Sequence, residues 1–317
     1  MFKRLLVVVV ALFGVFTLAA CKGERTYKAD GVYLAFSAGE NDGAPQVTVV
    51  KVTIENDKIK EFYIDCLQST AVKDEESNVT GYAFKEKTKK ELGYDYRMHD
   101  GGRTMTDEEY REYLEEEGKL EWFEQAALIE KHFVEHGTDL TTDDDGYIQN
   151  VTGVTIADSD YSKLAKAAVD NAKAGKILSW TAYASGSQVN LVWAEGTVDA
   201  KGKLTSLKID TLQGEVSDGI FAWNDKSKQE LKYDYRMHDR ERTMSDEEYR
   251  EYLEEEGKLE WFEQADLLAD YVLKNGLGNV KLDGTKLAED APEAISAVTV
   301  NVNHYVEVMK ELLDNWK

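Results

Sequence analysis

One 33-residue stretch occurs twice in this 317-residue chain. Tyr94 to Ala126 reads YDYRMHDGGRTMTDEEYREYLEEEGKLEWFEQA and Tyr233 to Ala265 reads YDYRMHDRERTMSDEEYREYLEEEGKLEWFEQA; only Gly101/Arg240, Gly102/Glu241 and Thr106/Ser245 differ. The copies lie 139 residues apart, a period that is domain-sized rather than solenoid-sized. The chain is therefore expected to be two copies of one module.

The surrounding sequence runs in the same order in both copies. Module one opens at Asp30-Gly31-Val32-Tyr33 and continues into a strand-like stretch from Gln46 to Ile54. Glu55-Asn56-Asp57-Lys58 reads as a hairpin turn, and Ile59 to Ile64 alternates as a returning strand. Module two repeats this with Val189 to Val198, a turn at Asp199-Ala200-Lys201-Gly202, and Leu204 to Ile209. In the repeated block, Thr106-x-x-Glu109 and Ser245-x-x-Glu248 fit a capping box, in which the hydroxyl accepts from a free N–H and the Glu reaches back. That helix should stop near Gly118 or Gly257. A second helix from about Leu120 or Leu259 carries Trp122/Trp261, Phe123/Phe262, Ala126/Ala265 and Leu128/Leu267 near one face. Each module closes with an acidic turn, a Val/Thr-rich segment (Val151 to Ile156; Ile295 to Val302) and a final helix, about Ser159 to Ala174 and His304 to Trp316. Strands and helices segregated in this way predict an α+β fold of two tandem repeats, each a small antiparallel sheet with packed helices. The boundaries are 30–175 and 176–317, and the absence of a Pro- or Ser-rich linker predicts that the modules abut.

Ahead of the modules, Lys3 and Arg4 precede an apolar run from Leu5 to Leu18, the pattern of a secretory leader over residues 1–20. Leu18-Ala19-Ala20-Cys21 resembles a bacterial lipobox. That resemblance implies that Cys21 is lipidated, that 21–29 is a tether, and that the protein sits on the outer face of the plasma membrane of a Gram-positive or wall-less bacterium. The formal charge of −23 becomes −25 once residues 1–20 are set aside. Such a surface repels phosphate backbones and anionic headgroups, so nucleic acid is not expected as a partner and membrane contact should come from the lipid anchor alone. Cys66 has Thr211 as its counterpart and is expected to be a half-buried strand residue rather than a reactive thiol.

The opening Asp30-Gly31-Val32-Tyr33, the hairpin and the late Val151-Thr152-Gly153-Val154-Thr155-Ile156 together resemble the FMN-binding domain family. That family includes a subunit of sodium-pumping NADH:quinone oxidoreductases and surface flavoproteins of Gram-positive bacteria. Its signature is roughly D-x-x-S/T-G-A-T, with FMN attached to the last Thr by a flavin transferase. The resemblance implies acceptors at Thr155 and, from Ile295-Ser296-Ala297-Val298-Thr299, at Thr299. Thr152, Gly153 and Ser296 would then shape the site. It also implies a redox carrier fed by a membrane reductase, with no catalytic residues or metal of its own. Gly153 gives backbone access, and a helix starting near Ser159 would aim free N–H groups at the phosphate. The pattern is broken by Val154 and Val298 in place of Ala, by Ala297 in place of Gly, and by Gln149 where the acid stands, although Glu293 keeps it in module two. The alternative is a cofactor-free surface lipoprotein in which both segments are β-strands and the modules serve as a binding or scaffold unit.

Other candidates have plainer explanations. Arg97, His99 and Arg103 recur as Arg236, His238 and Arg242, a cationic cluster expected to be solvated and paired with neighbouring carboxylates. His132 and His136 stand at i, i+4 but become Tyr271 and Asn275 in module two. Asp143-Asp144-Asp145-Gly146 reads as an acidic turn, since the Glu that completes a calcium loop is missing. Trp122 and Trp261 could stack on a flavin but are expected in the core.

Overall fold

The computed structural model describes residues 25–316; the leader and the Cys21 expectation lie outside them. The fold is α+β in two tandem modules. Strands β1 (Gly31–Asn41), β2 (Ala44–Glu55), β3 (Lys58–Lys73) and β4 (Val79–Phe84) form an antiparallel meander in the order β1-β2-β3-β4. The short α1 (Lys89–Leu92), α2 (Asp107–Glu116), α3 (Trp122–His136) and α4 (Tyr161–Ala174) follow. Module two repeats the set as β5 (Lys176–Ser185), β6 (Gln188–Val198), β7 (Leu204–Ser217), β8 (Ile220–Trp223), α5 (Lys228–Leu231), α6 (Asp246–Glu255), α7 (Trp261–Asn275) and α8 (Asn303–Asn315). A two-residue pairing of β9 (Leu282–Asp283) with β10 (Lys286–Leu287) precedes α8.

The duplication extends to irregularities. The β2–β3 register shifts at Thr53/Ile54 and the β6–β7 register at Thr197/Val198. Both capping boxes form as expected, with Thr106 and Ser245 accepting from the N–H of Glu109 and Glu248. Gly175 ends α4 with φ 74° and β5 starts at the next residue.

α4 lies over β1 and β2, where Asn171 Nδ2 donates to the Leu34 carbonyl at 2.8 Å. α3 lies over β3, and α7 and α8 take the same places on β7 and on β5–β6. Between these helices and the sheets runs one continuous core drawing on both modules, including Val50, Ile64, Ile129, Ala168, Val192, Ile209, Leu268 and Val308. Phe36 packs edge-on to Trp193, Tyr82 meets Phe221, and Trp223 Nε1 donates to the Gly39 carbonyl at 3.0 Å, so the modules are also bound along their sheets. Among the described residues no helix is long and apolar enough to cross a membrane.

Candidate functional site

The Val/Thr-rich segments are turns, not β-strands. In module one the Val154 N–H bonds the Val151 carbonyl at 3.2 Å, and in module two the Val298 N–H bonds the Ile295 carbonyl at 3.0 Å. Val154 and Val298 are buried in the core. The extra bulk that departs from the family pattern is thus spent on anchoring the turn, while Thr155 and Thr299 beside them are exposed. Gly153 takes φ 87°, where a side chain would be strained and a Cβ would also press on Leu128 at 3.2 Å. Ala297 needs no glycine, because its backbone is not left-handed; a 3₁₀ turn over Glu293–Ile295 leads into it instead.

What holds each threonine is a residue that sequence reasoning passed over. Gln125 Oε1 accepts from the Thr155 N–H at 2.7 Å and from its hydroxyl at 3.3 Å. Gln264 Oε1 accepts from the Thr299 N–H at 2.7 Å, its hydroxyl at 3.3 Å and the Val300 N–H at 3.2 Å. Both glutamines are buried at 1% exposure, and their amides donate back to the Leu120 and Leu259 carbonyls at 2.9 Å. Each is therefore fully engaged and oriented from both ends. The signal that could have exposed this was the identical Gln in a repeated apolar stretch, Trp-Phe-Glu-Gln-Ala, where an amide on a buried helix face must find partners.

The remaining candidates fall into place around these turns. Thr152 and Gly153 are exposed at the turn's tip, beside an open hollow of ≈ 420 Å³ bounded by Tyr147 to Gln149 and Val151 to Thr155. The Ser296 hydroxyl donates to the Glu293 carbonyl at 2.8 Å. Gln149, at the position of the family's acid, donates to Asp143 Oδ2 at 3.0 Å. The helix N-terminus expected to serve a phosphate differs between modules. α4 starts at Tyr161, and Asp158 accepts from the Ser162 N–H at 3.1 Å, so a carboxylate already stands there. At α8 no side chain caps the first turn.

The repeated cations divide: Arg103 and Arg242 are exposed, whereas Arg97 and Arg236 are interior and paired with carboxylates. Arg97 and Arg236 are buried, take left-handed backbones with φ 58° and 54°, and bond Asp100 at 3.0 Å and Asp239 at 2.7 Å. They also bond Asp107 at 2.6 Å and Asp246 at 2.5 Å. The Thr104 N–H, which donates to Asp100, holds that carboxyl below its ordinary range, with help from the Met105 N–H and Arg97. His99 Nε2 lies 3.1 Å from the Leu120 carbonyl, and Arg103 donates to the Asp95 carbonyl at 2.7 Å. Glu121 and Glu260, fully buried, cap α3 and α7, each accepting from a Trp N–H and a Met N–H and from the Tyr110 or Tyr249 hydroxyl. The repeated block thus holds a buried polar clamp, to whose interior Arg97 and Arg236 belong.

Trp122 and Trp261 are core residues at 2% exposure. Cys66 is fully rather than half buried, and burial pushes its thiol up to about 11. The His132 and His136 rings lie 5.0 Å apart on the surface of α3. Asp143 Oδ1 accepts from the N–H groups of Asp145 at 3.1 Å and Tyr147 at 2.8 Å, closing an acidic turn. Among the described residues no group of three or more His, Cys, Asp or Glu is arranged to hold a metal.

Fold and site together define a tandem α+β protein with one Gln-held, Thr-bearing turn per module. No protein-family model matches the chain, and no curated protein matches it. It is similar to a solution NMR structure of a protein from Clostridium thermocellum, with 23% identity over 45% of this chain and 91% of that one, at a TM-score of 0.27.

Proposed function

We propose that this protein is a membrane-anchored extracellular flavoprotein-like electron carrier, bearing FMN covalently on threonine in one or both modules. The observation that carries the reading is the pair of exposed threonines, each on a turn whose backbone is fixed by a buried glutamine. Covalent attachment to a hydroxyl needs that combination. The oxygen must be open to a bulky donor, and the backbone beneath it must stay put. Bound FMN would supply the redox chemistry, while the chain would fix the attachment point and limit its motion. Thr299 is the preferred acceptor in this reading, because the carboxylate of Asp158 guards the helix start in module one and no side chain caps α8 in module two. A flavin transferase and a membrane reductase are the partners this function requires.

Intact mass after co-expression with a flavin transferase tests it. The expected result is an added FMN mass that Thr299→Ala removes wholly or in part, with any remainder removed by Thr155→Ala. No added mass, or a mass unchanged in the double variant, overturns the proposal. In that case the Asp158 cap and the acidic turn at Asp143 favour the second reading, a cofactor-free surface lipoprotein used as a binding or scaffold unit.

A further inference from the structure

A cleft of ≈ 430 Å³, away from both threonine turns, takes its walls from β1, β2 and β3 of module one and from β5 and α8 of module two. Its volume is in the range of small-molecule pockets, roughly 300–1,000 Å³. Ile177 and Leu312, each 3% exposed, form the floor, and Val32 is 44% exposed at the rim. Leu34, Leu178 and Trp316 complete the apolar lining. Tyr161 and Tyr305 are counterparts, each meeting the tryptophan of its module. Counted from them, Glu311 and Trp316 stand where module one has Ala167 and Ala172, so these side chains are not part of what the repeats share.

Several polar groups at the cleft are already engaged. The Tyr63 hydroxyl donates to Asp65 at 2.8 Å, the Ser179 hydroxyl to the Val308 carbonyl, and Trp316 Nε1 to the Gly202 carbonyl at 2.7 Å. Three charged side chains remain. Glu61 accepts from the Thr53 hydroxyl at 3.2 Å. Lys51 and Glu311 face each other, yet among the described residues neither has an ion pair within 4.0 Å. Burial pushes the Glu311 carboxyl above its ordinary range; Lys51 opposes that and Glu307 adds to it. Counting every charge, bonded or not, leaves the cleft negative. Its own groups are one cation, Lys51, and two carboxylates, Glu61 and Glu311. Around them Lys60 with Glu55 at 3.0 Å, Lys176 with Glu195 at 2.6 Å, Lys310 with Asp314 at 3.0 Å and Lys90 with Glu130 cancel in pairs. Glu307, beside the His304 ring at 3.2 Å, adds a further carboxylate.

We infer that this cleft binds a small organic cation, an amine with an apolar body, whose charged nitrogen meets Glu311 and Glu61 and whose body lies on Leu34, Leu178 and Trp316. An anion would meet two carboxylates within a chain of charge −23, and a neutral ligand would cover Glu311 without pairing it. Only a cation supplies the ion pair that Glu311 lacks while the apolar walls shed water. Lys51 opposes such a ligand, and its removal should therefore tighten binding. The inference needs neither flavin nor a membrane anchor, so it stands apart from the proposed function.

Titration of the full chain with three probes of one shape, followed by NMR, tests it: phenethylamine, phenethyl alcohol and hydrocinnamate. The amine is expected to bind at least about tenfold more tightly than the carboxylate, with the alcohol between them, as one charge-assisted contact implies. Shifts should centre on Leu34, Leu178, Leu312 and the Trp316 indole N–H. Glu311→Gln should weaken the amine about fivefold and leave the alcohol unchanged, and Lys51→Gln should strengthen the amine. Asp42→Asn, at the β1–β2 turn, should alter none of the three. Failure of every probe to bind, equal affinities, or shifts centred elsewhere overturns the inference. So does a Glu311→Gln effect matched by Asp42→Asn, which would make the preference a property of the whole acidic surface. Both variants replace exposed side chains, so an unchanged circular dichroism spectrum is expected alongside the altered affinity.

Discussion

The block from Tyr94 to Ala126 matches its copy at 30 of 33 positions, whereas the turns it holds, Val-Thr-Gly-Val-Thr-Ile and Ile-Ser-Ala-Val-Thr-Val, agree at two of six. The contacts explain why the two regions tolerate change so differently. In the block, Glu121 serves three donors, and Arg97 serves two carboxylates and a carbonyl. Replacing any one member strands several buried polar groups at once. The turns are held by one glutamine acting on backbone N–H groups and by the apolar side chain of Val154 or Val298, so their other side chains can drift. Sequence identity between the modules therefore marks the clamp, and the site lies where identity is low.

Breaking the clamp should give the largest effect. Glu121→Ala or Glu260→Ala leaves three donors without an acceptor and should cost about 3–5 kcal/mol, read by denaturant unfolding. Equal losses from the two substitutions would confirm that the copies are energetically equivalent. Gln125→Ala or Gln264→Ala should cost less, about 1–3 kcal/mol, while amide exchange at Thr155 or Thr299 speeds up far more than at Val154 or Val298. If exchange accelerates equally across the module, the glutamine is a core residue and not a specific clamp on the turn.

The block's few differences can be read electrostatically. Lys228 and its counterpart Lys89 lie on aromatic faces, Lys228 at 4.8 Å from Tyr235 and 5.3 Å from Trp261. Burial pushes Lys228 down to about 8, and Arg240, where module one has Gly101, pushes the same way. Since the unfolded chain holds this proton more tightly, the charged lysine opposes folding at pH 7. Stability should rise as the pH passes from about 8 toward 10.5. Lys228→Met should stabilise the protein by about 1–2 kcal/mol at pH 7, a gain that shrinks as the pH approaches 10.5. Arg240→Gly should raise the pKa of Lys228, as followed by NMR of its ε-methylene group; no change would remove Arg240 from the account. The smallest effect is expected at the turn's tip. Gly153→Ala should cost about 1 kcal/mol because of its left-handed backbone, whereas Ala297→Gly should change stability by only a few tenths; thermal unfolding compares the two.

Much of the fold was legible in local patterns. The hairpins around Asn56-Asp57 and Asp199 to Gly202, the capping boxes at Thr106 and Ser245, and the helix end at Gly175 depend on interactions between residues a few positions apart, which alternation and cap chemistry report directly. Arg97 was not legible as a buried residue. An arginine in a polar stretch reads as solvated until Asp100, Asp107 and the Met105 carbonyl are seen to enclose it. The link from Gln125 to Thr155 spans 30 residues and runs through a single side-chain oxygen, so no periodicity records it.

By itself the sequence determined that there are two modules, that each pairs a small antiparallel meander with capped helices, and that the chain as a whole is strongly acidic, because local hydrogen bonding, apolar spacing and summed charge need no third dimension. Tertiary structure alone decided which polar residues are interior and which hydroxyls are exposed on a fixed backbone. Those properties depend on which distant side chains meet. A chain of net charge −23 can therefore enclose a buried arginine clamp.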